Sequence, residues 1–91
     1  MARMRVETVK ALLAFGTATI AVAEVGVRMA RGHRDGPAFD LFAEMQAAHS
    51  RLRVLFDQQL DDDVLELARS IVELAQRTAW ALDQEESRPG S

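Results

Sequence analysis

The chain has 91 residues, 48% of them apolar, which is enough for one small domain; with four Phe, one Trp and no Tyr its core has to be aliphatic. It has no cysteine, which excludes disulfides, thiolate metal sites and a thiol nucleophile and fits a reducing compartment. The net charge of −3 is uneven: residues 1–34 carry six basic and two acidic groups (+4), residues 35–91 five basic and twelve acidic (−7). That acidic total argues against a nucleic-acid binder, which has to neutralise several phosphates. The asymmetry suits helices that attract one another across a bundle, or, in a sharper reading, a basic end held near an anionic membrane.

The first element is predicted over residues 6–31, after a frayed start at 1–5. Residues 11–23 carry no charge. At helical spacing Val6, Val9, Leu13, Gly16, Ile20, Ala23, Val27 and Ala30 form a coiled-coil-like seam. A second apolar stripe holds Leu12, Phe15, Thr19, Val22, Gly26 and Met29, and a third, of small residues, Ala11, Ala14, Ala18 and Ala21. The small stripe and Gly16 would let another backbone come close. Only a narrow edge is polar, and on it Glu24 and Arg28 are spaced to pair within the helix. A helix apolar around most of its circumference needs more than one neighbour, or lipid.

Three uses of this segment compete. In the favoured one it is a buried bundle helix shared between subunits, because its uncharged part is shorter than the roughly 20 residues of a membrane span. In the second it is a signal peptide, with Arg3, Arg5 and Lys10 as the basic region, 12–22 as the apolar region and Ala21-Val22-Ala23 as a small-x-small cleavage site. Glu7 and a seam that keeps phase beyond that point speak against it. In the third it is a membrane anchor over 11–27, flanked by Arg28 and Arg31.

Gly32 to Pro37 reads as a loop, with Pro37 at the first position of the next helix. That helix is expected over 38–59, with Phe39, Leu41, Phe42, Met45, Ala48, Leu52, Leu55 and Phe56 inward and Arg53 able to pair with Asp57. A break is expected at Asp61–Asp62, since Asp63 would otherwise fall on the apolar face, and Asp63 with Glu66 resembles a capping box. Without that break the fold would be a two-helix hairpin with a long second helix. The third helix is predicted over 64–84, with Val64, Leu67, Ala68, Ile71, Leu74, Ala75, Thr78 and Leu82 as core and Glu66, Arg69, Glu73 and Arg77 as a solvated salt-bridge row. Residues 85–91 read as a disordered tail.

Trp80 falls on the outer face with Glu73 and Arg77, and an outward tryptophan points to a protein partner. Arg28, Arg31 and Arg34 cluster with His33 at the first turn, where they could contact an anion. His49 sits at the edge of an apolar face, and no second ligand shares its face, so neither metal nor cofactor is expected. Ser50 adjoins His49, but neighbouring helical positions point about 100° apart and cannot act as a nucleophile–base pair. The Asp61-Asp62-Asp63 run lacks the spacing and glycine of a calcium loop.

The expectation is therefore an all-α, antiparallel three-helix bundle completed by oligomerisation. It would be a non-enzymatic, cytoplasmic assembly or adaptor module that self-associates through Val9, Leu13, Gly16, Ile20, Ala23 and Val27. The alternative is a small membrane-anchored or exported protein.

Overall fold

Two breaks divide the chain into three helices, α1 (Val6–Met29), α2 (Pro37–Asp57) and α3 (Asp61–Glu86), in a computed structural model that describes residues 5–31 and 36–87. Consecutive helices are antiparallel. Thr8 of α1 lies beside Asp61 and Arg28 beside Asp83, so α1 and α3 run in the same direction. Phe15 meets Phe56 and Thr19 meets His49, so α2 runs against α1. Among the described residues there is no strand.

At the first break, the Ala30 N–H donates to the Gly26 carbonyl and the Arg31 N–H to that of Arg28, which tightens the last turn of α1. The expected stop at Gly32 lies outside the described residues. Helix α2 starts with Pro37 in its first turn, where a missing N–H costs nothing. The residue before it, Gly36, has φ 96° and ψ −179°, a conformation reserved for glycine, and a Cβ there would sit 2.5 Å from Glu85 Oε1.

The second break falls at Gln58–Leu60, earlier than the expected Asp61–Asp62. Gln59 adopts φ 60°, the Leu60 N–H donates to the Leu55 carbonyl and the Gln59 N–H to that of Phe56. This is a Schellman ending with glutamine where glycine is usual. Helix α3 then opens directly on Asp61. Its cap residue is Leu60 and no side chain caps it, so the capping box read at Asp63 and Glu66 is not formed. The three aspartates instead occupy the first turn, where negative charge suits the helix dipole, and Asp61 accepts a 2.9 Å hydrogen bond from the Thr8 hydroxyl.

The two special backbone positions predict effects of opposite sign. Gly36→Ala should lower stability by about 1–3 kcal/mol. Gln59→Gly should raise it by about 0.5–1 kcal/mol, because it relieves a left-handed L-residue. Urea midpoints of the two variants check this; shifts in the same direction would contradict the backbone account.

Buried positions recur every seven residues on each helix: Ala11, Ala18 and Val25; Ala38, Met45 and Leu52; Val64, Ile71 and Thr78. That interval lets helices lie side by side at a shallow crossing over their whole length. On α1 the packed stripe is the alanine one, joined by Val25 and Met29. Small side chains allow close approach, and α2 and α3 supply the volume with Met45, Leu52, Ile71 and Leu82. Thr78 is buried, and its hydroxyl donates to the Leu74 carbonyl, so it carries no unmet donor into the core.

Polar residues are also accommodated between α1 and α2. Thr19 donates its one hydroxyl hydrogen to the Phe15 carbonyl at 2.8 Å, so at 2.9 Å it accepts from His49 Nε2. The His49 ring lies against Phe15, with centroids 5.7 Å apart. His49 is thus a bonded helix-contact residue. A Cβ on Gly26 would meet a phenyl carbon of Phe42 at 3.5 Å, an ordinary van der Waals contact, so α1 and α2 pack there without needing glycine.

Candidate functional site

Once the alanine stripe of α1 turns inward, the seam falls on the opposite face. Val6 and Leu13 are each 65% exposed, Ile20 60% and Val27 58%; Val9 and Ala23 are exposed beside them. A Cβ placed on Gly16 meets nothing within 4 Å, so the space beside its half-buried backbone is open. The structure therefore places five of the six residues read as a self-association set exposed along one outward face, with half-buried Gly16 between them. The alanines, not Gly16, make the close approach inside the bundle. Leu12, 45% exposed, widens the apolar surface on the α2 side.

A second apolar surface is a groove of about 610 Å³ between the start of α2 and the end of α3, lined by Pro37, Leu41, Glu73, Gln76, Arg77, Trp80 and Ala81. Trp80 is 64% exposed at its rim. Glu73, Arg77 and Trp80 thus stand together, as helical phase places them. Pro37 and Leu41 carry no groove signal in the sequence, where one marks a helix start and the other a core position, yet Leu41 is half-buried at the groove.

Of the arginines read as an anion contact, Arg28 and Arg31 are among the described residues. Arg28 Nη2 donates to Asp83 Oδ1 at 2.8 Å and to Glu86 Oε2 at 3.0 Å, so its charge is met within the chain. Arg31 is exposed and Arg34 lies outside the described residues. The Arg28–Glu24 pair is not formed either, because α3, running parallel, presents two carboxylates to Arg28. The hydrogen bond to Asp83 is the main reason the Arg28 guanidinium is held above its ordinary pKa; partial burial opposes this, and Glu86 adds to it. A raised value keeps the arginine charged, so its contribution is fully present below the unfolded value and is lost only at strongly alkaline pH. It adds no pH dependence between about pH 5 and 9.

The outer row Glu66, Arg69, Glu73 and Arg77 makes no ion pair among the described residues, nor do Arg53 and Asp57. These side chains extend into water, where such pairs gain little. Among the described residues no three metal-ligating side chains converge. No protein-family model matches the chain, and neither does any curated protein or solved structure. The class is therefore defined by the fold itself: an all-α bundle of three helices, with an apolar outer face on α1 and a groove beside Trp80 between α2 and α3.

Proposed function

We propose that this chain is a non-enzymatic helical assembly module that pairs with a second copy of itself through the outer face of α1. One observation carries this reading: Leu13, Ile20 and Val27, each more than half exposed, form a row with Val6 and Val9 along α1. The row extends over about 30 Å of helix. Scattered apolar residues are ordinary on a surface, but a continuous row of branched aliphatics marks a contact. The groove at Trp80 opens between α2 and α3, away from the row, so pairing leaves it free to hold a second protein.

A second reading has its own observation: α1 is long and apolar enough to cross a bilayer. In the bundle, however, α1 is packed along its alanine stripe against two helices with charged outer faces, and crossing would require it to leave them. Static light scattering in detergent-free buffer at tens of micromolar, with flotation on phosphatidylglycerol-containing vesicles, separates the readings. The expected result is a species of twice the 10.1 kDa chain mass that stays with the aqueous fraction. A single-chain mass overturns self-pairing, and quantitative flotation moves the outer face to lipid.

A further inference from the structure

We propose that the second copy lies antiparallel along α1 about a two-fold axis near Ala18, with Lys10 of each chain paired to Glu24 of the other. This rests on the self-pairing reading above and specifies its geometry.

The seam is a seven-residue repeat with two core positions. Val6, Leu13, Ile20 and Val27 occupy one; Val9, Gly16 and Ala23 occupy the other. In an antiparallel pair each residue of the first series faces one of the second. Centred near Ala18, that register sets Val27 against Val9, Leu13 against Ala23, and Ile20 against Gly16 of the second copy. Each of the two bulkiest side chains then meets a small residue, and Ile20 fills the space in which a Gly16 Cβ meets nothing within 4 Å. The axis also falls at the middle of Val6–Met29, so the two helices overlap over their full length. A parallel pair sets every residue against itself. Leu13 then abuts Leu13, and the two Gly16 positions leave a gap.

Charge makes the same choice. Lys10, Thr17 and Glu24 directly follow the second series and line one flank of the seam; Leu12, Thr19 and Gly26 line the other. A two-fold axis across the helices brings like flanks together, which sets Lys10 beside Glu24 at both ends and Thr17 beside Thr17 in the middle. A parallel arrangement brings unlike flanks together and gives neither charge an opposite partner: Glu24 falls beside Thr19, and Lys10 beside the cap end of the second helix, where Arg5 stands. Lys10 and Glu24 are both exposed, and neither has an ion pair or side-chain hydrogen bond among the described residues. Both are therefore available to the second copy.

The absence of native cysteine allows a direct test. Val9→Cys and Val27→Cys chains are prepared separately, checked for mass by light scattering, mixed and mildly oxidised. The expected product is the mixed Val9→Cys/Val27→Cys disulfide, with no self-linked Val27→Cys dimer, since antiparallel copies hold those two sites about 27 Å apart. Self-linking of Val27→Cys alone overturns the orientation while leaving self-pairing intact; a single-chain mass for the wild type and both variants overturns self-pairing itself. Independently, Lys10→Glu should weaken association by about tenfold and the Lys10→Glu/Glu24→Lys exchange should restore it. An exchange variant as weak as the single one overturns the charge pairing. Circular dichroism confirms that each variant remains helical.

Discussion

Leu13→Asp combined with Ile20→Asp is expected to convert the paired species to a single chain that keeps its helices. The two side chains are 65% and 60% exposed in the isolated bundle, so pairing gives them most of their burial. Burying a Leu or Ile side chain contributes about 1.5–3 kcal/mol, and a two-fold pair buries both residues twice. Aspartate at the same places must lose its hydration with no cation facing it. Discounting heavily for incomplete burial, the dissociation constant should rise by at least about a thousandfold, that is about 4 kcal/mol. The bundle itself should lose little, because exposed substitutions fall within about 0.5 kcal/mol apart from the weaker helix preference of aspartate. Light scattering reads the mass and circular dichroism the helix content. If the double variant keeps a two-chain mass, contact lies elsewhere than the outer face of α1.

Ile71→Ala is expected to have the largest effect on folding. Helix α3 packs against both other helices, and Ile71 is fully buried on it. Removing three carbons there leaves a cavity in the core, at a cost of about 2–5 kcal/mol. A domain of this size has only about 5–15 kcal/mol of stability to lose. Ile20→Ala supplies the comparison, since it removes the same atoms from a 60% exposed position and should leave the stability of the dissociated chain nearly unchanged. Urea melts at low protein concentration check both, with the slope of each transition confirming that the same surface is exposed on unfolding. Equal midpoints for the two variants would mean that Ile71 is not held as described.

Much of this was legible in the residues, because helical phase is a local property. The core set of α3 follows directly from its spacing, and so does the outward setting of Trp80. The alanine stripe on α1 was visible too, but the sequence offered three apolar faces without saying which would turn inward. Packing decided that: small side chains let α2 and α3 approach closely, and the bulkier seam was left outside. The position of the second break is hidden in the sequence for a related reason. Gln59 gives no glycine signal, while the aspartates after it resemble a cap; the break depends on a backbone ending shaped by Leu55, Phe56 and Leu60. Arg28 shows the same limit. Its neighbour four residues earlier is Glu24, but the carboxylates it takes are on α3, and nothing in the local pattern places that helix alongside.

Trp80 is the chain's one indole, and it stands at the mouth of the α2–α3 groove rather than on the outward row of α1. Its emission colour therefore reports how wet that mouth is and takes no direct signal from α1. Ultraviolet fluorescence and particle mass become orthogonal gauges, so a titrant that blues the emission while the particle mass is unchanged has entered the groove without altering the assembly state.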